Sequence, residues 1–197
     1  MELDIRPLTP DMADDYLHFF DHVAFTDHPD WASCYCLAFH FEPVWDAEDA
    51  GRDNPWRDRA ARFIAEGKLR GYLAYADGAV AGWCNANDKR NYAALAHNVN
   101  AELLPPGDGT KVKSVVCFLV APGLRGQGIA TAMLERACTD ARAEGYDLAE
   151  GYPPAEDWDM YAAHHGTVAL FEKCGFAVHA QSGKGCIMRK NLAGGRP

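Results

Sequence analysis

The plainest chemical signature in the chain is Arg125-Gly126-Gln127-Gly128, a glycine-rich turn between the apolar run Cys117-Phe118-Leu119-Val120 and a helical pattern opening at Ile129 and Ala130. Backbone N–H groups at a helix start have no intrahelical partner and stand at the positive end of the dipole, so such a turn can cradle a phosphate-class anion. Gly126 and Gly128 let the backbone approach closely, and Arg125 offers a charge-assisted bond to one anion oxygen. A plain tight connection from strand to helix would explain the two glycines but not the arginine with a glutamine between them. No Gly-Lys-Ser/Thr follows, and the three-glycine dinucleotide fingerprint is missing, so both common nucleotide folds lose ground.

Several elements must position this turn. Residues 2–8 alternate at period two and read as a half-buried strand stopped by Pro7 and Pro10. Thr9 or Asp11 can cap a helix over about 12–24, with Tyr16, Phe19, Phe20 and Val23 on one side. Asn54-Pro55 supplies a cap and first-turn proline for a second helix to about Glu66. Residues 69–75 and 79–85 flank Asp77-Gly78, a strong hairpin signal, and should pair antiparallel. A loop over 100–110 precedes a long strand over 111–120. A helix then runs from Gly128 to Gly145, followed by a short strand over 146–151. That crossover predicts parallel neighbours. A helix over 167–174 and an antiparallel pair, 176–180 and 186–190, complete a mixed sheet with helices on both faces.

Composition sets the outer bounds. A chain of 197 residues with 48% hydrophobic and 24% charged residues can bury one core, and the expectation is a single domain over 1–197. Its 19 basic and 28 acidic residues, net −9, leave no general cation surplus for a polyanion, which disfavours nucleic acid and anionic membranes as partners. Seven scattered cysteines read as reduced core thiols. No signal-peptide core and no apolar window near the roughly 18 residues of a membrane span are visible, so the expected location is cytoplasmic. A homodimer is the assembly that closed symmetry favours in general.

The turn, written Arg125-Gly126-Gln127-Gly128-Ile129-Ala130, resembles the Arg-x-x-Gly-x-Gly/Ala signature of the GCN5-related N-acetyltransferases (GNAT), joined to the Val120-Ala121-Pro122 strand end. A second stretch, Leu170-Phe171-Glu172-Lys173-Cys174-Gly175-Phe176, is similar to that family's helix ending in Gly-Phe before the last two strands. The N-terminal Ile5-Arg6-Pro7-Leu8 strand and the hairpin over 71–85 add weaker support. The resemblance implies an α+β fold, layered α/β/α, with a mixed, mostly antiparallel sheet of about seven strands, a splayed parallel pair and helices on both faces. It also implies acetyl-CoA as acyl donor along Phe118, Leu119 and Val120, with the pyrophosphate on Arg125, Gly126, Gln127, Gly128, Ile129 and Ala130, and Thr131 just inside the helix. No metal is implied.

Two residue types that the family often uses for proton transfer have no counterpart. Phe171 stands where a tyrosine commonly donates to the leaving thiolate, so it becomes a coenzyme contact only; the central strand opens Lys111-Val112-Lys113-Ser114, without the frequent glutamate. A lysine-like ammonium with a pKa near ~10.4 must lose a proton to attack, so another group must serve. Candidates lie in the segment over 150–165. Glu150 could accept the proton or be a paired carboxylate, Tyr152 and Tyr161 could donate to the thiolate or pack, and His164 or His165 could touch substrate or coenzyme or cap the helix. Cys117 could take the acyl group, though a buried strand cysteine is more commonly core. Trp83 and Asn85, ahead of the polar run Ala86-Asn87-Asp88, are acceptor-binding candidates, against the plain reading of a hairpin exit. The aromatic segment over 26–56 is the expected acceptor lid, and its Cys34-x-Cys36-x3-His40 spacing favours packing over zinc. The function so implied is acetyl transfer from acetyl-CoA to a primary amine of a small molecule or peptide by direct attack; the alternative is a non-catalytic CoA-binding regulatory module.

Overall fold

The computed structural model describes residues 1–32, 34–40, 53–99, 103–104, 109–154, 164–183 and 185–193. Tyr161, most of the 100–110 loop and residues 41–52 of the expected lid lie outside them.

Among the described residues, seven strands form one sheet in the order β1 (Leu3–Pro7), β2 (Gly71–Ala76), β3 (Ala79–Asp88), β4 (Val112–Val120), β5 (Leu148–Gly151), β7 (Gly185–Asn191), β6 (Ala177–Ser182). All pairs are antiparallel except β4 with β5. A parallel neighbour needs a crossover, and helix α4 (Ile129–Ala143) supplies it by burying Ile129, Met133, Ala137 and Ala141 at helical spacing. On the opposite face lie α1 (Ala13–His18), α2 (Pro55–Ala65) and the short α3 (Leu95–Asn98), with α2 capped by Asn54 Oδ1 accepting from the Arg57 N–H at 3.2 Å. Period two in β2 turns Leu73 and Tyr75 toward α1 and α2, and Tyr72 and Ala74 toward α4. Each face therefore has its own core. No helix among the described residues is long and apolar enough to cross a membrane.

The first helix departs from the expected 12–24 run. It begins as a 3-10 turn, Pro10–Met12, closed by the Met12 N–H on Thr9 O at 3.0 Å, and continues past α1 as a π turn, Phe19–Val23. The expected cap from the Thr9 or Asp11 side chain is not made, because the backbone turn at Pro10 takes its place. β3 also runs to Asp88, pairing with Lys113, where the sequence suggested a hairpin exit near Asn85.

The sheet opens at one point. β4 and β5 pair only from Val112 with Leu148 to Val115 with Gly151, while β4 continues to Val120. On its other side Asn85 pairs with Cys117 and Ala86 with Val115, so Val116 is a bulge residue. The bulge turns both Val116 and Cys117 into the core under α1, and α5 (Val168–Lys173) lies beyond the end of β5. Gly151 closes that end against the Phe171 ring: a Cβ there would sit 2.2 Å from two ring carbons. Interiors packed at crystal density cannot absorb such an overlap. Gly151→Ala is therefore expected to cost about 1–3 kcal/mol in urea unfolding; an unchanged midpoint would contradict the packing.

Candidate functional site

A cavity of about 610 Å³ follows the unpaired end of β4. One wall is Cys117, Phe118, Leu119 and Val120; the floor is Leu124, Arg125, Gly126 and Gly128 with Ile129, Ala130 and Thr131 of α4. The facing wall carries His164, Gly166, Thr167, Leu170 and Lys173, and the segment after the first helix contributes Phe25, Trp31 and Cys34. The expected coenzyme residues thus converge, with two exceptions. Gln127 turns away, its Nε2 donating to Gly123 O at 3.2 Å. Phe171 is fully buried in the α4-side core between Phe118 and Phe176, with ring centroids at 6.0 and 5.1 Å, and does not line the cavity.

The turn has the geometry of an anion cradle. Gly126 and Gly128 have φ of 77° and 87°, and a Cβ at either would meet nothing within 4 Å, so glycine serves the left-handed backbone and leaves the ground above it open. The N–H groups of Ile129, Ala130 and Thr131 open α4 without intrahelical partners. Arg125 behaves differently from the expectation. Its Nη1 and Nη2 donate to Asp27 at 2.5 and 3.3 Å and its Nε to Val120 O at 3.2 Å. The guanidinium is therefore shared with a carboxylate that competes with any incoming phosphate. Asp27→Asn is expected to tighten coenzyme A binding about two- to fivefold, the worth of an exposed ion pair, read by calorimetric titration; weaker binding would show that Asp27 helps rather than competes.

The proton-transfer candidates separate clearly. Glu150, 0% exposed, takes Lys89 Nζ at 2.5 Å and the Tyr152 hydroxyl at 2.7 Å on one oxygen, and Arg189 Nε at 2.6 Å on the other. Burial pushes its carboxyl up, but Lys89, Tyr152 and Arg189 outweigh that and hold it below the usual carboxylate range. Both oxygens are occupied. Glu150 pairs with Ser114, in the closed part of the β4–β5 ladder, so the carboxylate is a structural anion rather than the proton acceptor. Tyr152 is also buried; its hydroxyl lies 2.7 Å from Ser114 Oγ, and burial with the neighbouring Glu150 keeps it protonated. Neither residue lines the cavity.

His165 is bonded to Val116, the first β4 residue past the stretch paired with β5, and does not itself line the cavity. Its Nδ1–H donates to the Val116 carbonyl at 2.9 Å, since a carbonyl can only accept, and the neutral ring therefore keeps a lone pair on Nε2. Burial and His164 lower its pKa to about 4, so the ring is unprotonated at neutral pH. The ring stands edge-on to Phe39 at 5.6 Å and 3.9 Å from the ring of His164, which lines the cavity.

The acceptor candidates prove to be braces. Trp83 is buried edge-on against Tyr16 at 4.9 Å. Asn85 Nδ2 lies 3.0 Å from Cys36 O, 3.3 Å from Cys36 Sγ and 3.3 Å from His40 Nε2, and its Oδ1 accepts from Tyr92 at 2.8 Å. Asn85 thereby holds the 34–40 segment against β3, and neither it nor Trp83 lines the cavity. Among the described residues no group of three His, Cys, Asp or Glu is placed to hold a metal. Lys173, Thr167 and Leu170 were missed as cavity residues. The signal was present: Leu170 and Lys173 are three apart on one short helix, and Thr167 caps it by accepting from the Leu170 N–H at 3.1 Å.

The acetyltransferase (GNAT) family profile matches residues 28–176. No curated protein matches the sequence. Solved structures share the fold: an N-acetyltransferase from Staphylococcus aureus Mu50 (TM-score 0.54, 14% identity, 98% of this chain and 99% of that one) and the PaiA N-acetyltransferase from Thermoplasma acidophilum in complex with coenzyme A (0.54, 15%, 97% and 99%). A polyamine N-acetyltransferase from Drosophila melanogaster, which forms N-acetylagmatine, is similar at TM-score 0.53 and 14% identity, over 96% of this chain and 100% of that one.

Proposed function

Because the chain belongs to the acetyltransferase (GNAT) family, we propose that it transfers an acetyl group from acetyl-CoA to a primary amine of a small molecule or peptide by direct attack. The observation that carries this reading is the continuity of one cavity from the Gly126–Gly128 turn to the opening between β4 and β5. The α4 N–H groups would take the pyrophosphate, with the β4 edge that β5 leaves unpaired, Phe118 to Val120, alongside the pantetheine arm. Beside the opening, the Val116 carbonyl fixes the His165 ring, whose Nε2 takes the proton lost by the attacking amine and gives it up to the departing coenzyme A thiolate. A weak base suffices there, because the proton leaves a nitrogen already bonded to the carbonyl carbon and made far more acidic than a free ammonium. Net charge −9 supports a cationic acceptor through long-range steering. Seven free thiols accord with a reducing, cytoplasmic setting.

Release of free coenzyme A across a panel of small and peptide amines tests the reading. Turnover with at least one amine is expected; acetyl-CoA binding without turnover on any would favour the regulatory module instead. That second reading is favoured by Phe171, buried against Gly151 without a hydroxyl for the leaving thiolate. For the cradle, Gly128→Asp places a carboxylate on the anion site; the left-handed N-cap backbone at φ 87° strains any side chain, and aspartate is among those that enter that region most readily. It is expected to weaken acetyl-CoA binding about 100-fold, in line with losing charge-assisted bonds of about 1.5–3 kcal/mol. Unchanged affinity with an intact fold would move the pyrophosphate elsewhere.

A further inference from the structure

Charge does not balance in the cluster around Glu150. Lys89 and Arg189 bring two positive charges, and Glu150 answers with one. The other side chains bonded there, Tyr152 and Ser114, are neutral. Among the described residues neither cation makes a second ion pair or hydrogen bond. One positive charge is therefore left over, in a chain of net charge −9.

The surplus sits on defined atoms. Arg189 uses only its Nε, which donates to Glu150 at 2.6 Å, and its Nη1 and Nη2 have no partner among the described residues. Trp83 Nε1 is the one buried side-chain polar atom without a partner among those residues, so the Arg189 Nη atoms, which also lack one, must reach accessible surface. Lys89 Nζ keeps two further protons to donate, on a side chain that is likewise only part-buried. With its Nε fixed on a fully buried carboxylate, the guanidinium is a rigid fork whose free end suits a carboxylate, gripped by two parallel N–H···O bonds.

The fork faces the side of the sheet where the reaction is placed. Ala149 and Met188 pack into the α4-side core, whereas Tyr152 and Ile187 pack into the core under α1 and α2. Alternation along the strands puts Glu150 and Arg189, paired directly across β5 and β7, on the second face. Phe39, against whose ring His165 stands edge-on, belongs to that same core. Along β4, Ser114 lies opposite Glu150 and two residues, roughly 7 Å, before Val116, whose carbonyl holds His165. The spare donors and the base thus lie about one small molecule apart along the strand.

We infer that Arg189, with Lys89, anchors a carboxylate carried by the acceptor, which makes the acceptor an amino acid or a dipeptide rather than a simple amine or a polyamine. The anchor presupposes the acetyl transfer proposed above. A single surplus charge matches a carboxylate monoanion better than a phosphate dianion. The ammonium end of such a molecule answers the negative field of the whole chain, and the carboxylate end answers the local cation. Held from its far end, the amine approaches the thioester in one orientation. Glu150 is a positioning residue here: it fixes the fork and does not meet the acceptor.

The test compares amino acids, 4-aminobutyrate and β-alanine among them, each with its own carboxamide, which keeps the amine and the size and removes the charge. Both members of each pair are titrated calorimetrically into the full chain loaded with coenzyme A, and both are assayed with acetyl-CoA for coenzyme A release. The best-bound acid is expected to bind about 10- to 100-fold more tightly than its amide, the worth of charge-assisted hydrogen bonds, with the same preference in KM. Arg189→Lys keeps a cation for Glu150 but loses the fork, so there the preference is expected to shrink to a few-fold at most, with coenzyme A affinity as in the wild type. The wild-type pairs decide alone if that variant does not fold. Equal affinity for acid and amide, tighter binding of the amide or of a diamine, no binding of any pair, or a preference that survives in Arg189→Lys would overturn the anchor. Preferential binding of an acid without turnover of any amine would sink acetyl transfer and leave the anchor standing; equal turnover of acids and amides would do the reverse.

Discussion

His165→Asn is expected to lower kcat/KM for the amine acceptor by about 10²- to 10⁴-fold, the usual worth of a positioned general base, while acetyl-CoA affinity stays unchanged. Asparagine can still donate an amide N–H to the Val116 carbonyl, which His165 Nδ1 holds at 2.9 Å. It lacks a basic nitrogen in the Nε2 position. The variant therefore separates holding the bulge from taking a proton, which alanine would not do. A variant with wild-type kcat/KM would reduce His165 to a structural clip. The pH profile adds a second readout. With the folded pKa near 4, His165 is neutral across the range above it, so the rise of kcat/KM with pH follows the acceptor amine's own deprotonation.

Glu150→Gln is expected to lower the unfolding free energy by about 3–5 kcal/mol, the typical cost of removing one partner from a buried ion cluster. The amide preserves the size of the side chain but leaves Lys89 and Arg189, each only 21% exposed at the side chain, without their anion. The sign of the pH dependence follows from the depressed carboxyl. Its stabilisation is complete above the unfolded carboxylate value of about 4.3 and is lost as pH falls through the lower folded value. Urea unfolding at neutral pH should show the full difference between wild type and variant, and the curves should converge in acid. A difference under about 1 kcal/mol at neutral pH would place the cluster among weak surface pairs.

The anion turn could be read from the sequence because everything it needs is local: two glycines, a strand before and an apolar helix after. Three pairings of the sheet were legible for a similar reason, since Asp77-Gly78 demands a hairpin, α4 a parallel crossover and the 183–185 turn a closing hairpin, whereas the neighbours β1–β2, β3–β4 and β5–β7 were not. Partners distant in the chain were not. Glu150 looked available as a base because Lys89 and Arg189 stand 61 and 39 residues away, and Arg125 looked free because Asp27 is 98 residues away. Asn85 looked like a substrate contact because a polar residue on a strand gives no sign that it will brace a distant loop. His165 carried no motif either; its place depends on a bulge at Val116 that only the β3–β4 register reveals. The π turn at Phe19–Val23 was hidden because Phe19 and Phe20 suit an α-helical face equally well.

A crystal structure with bound coenzyme A tests the central claim most directly. The pyrophosphate should accept hydrogen bonds from the backbone between Gly126 and Thr131, with the thiol at the cavity's inner end beside Cys117 and His165 facing the opening. A coenzyme bound away from the Gly126–Gly128 turn, or a thiol directed away from the β4–β5 opening, would contradict the account.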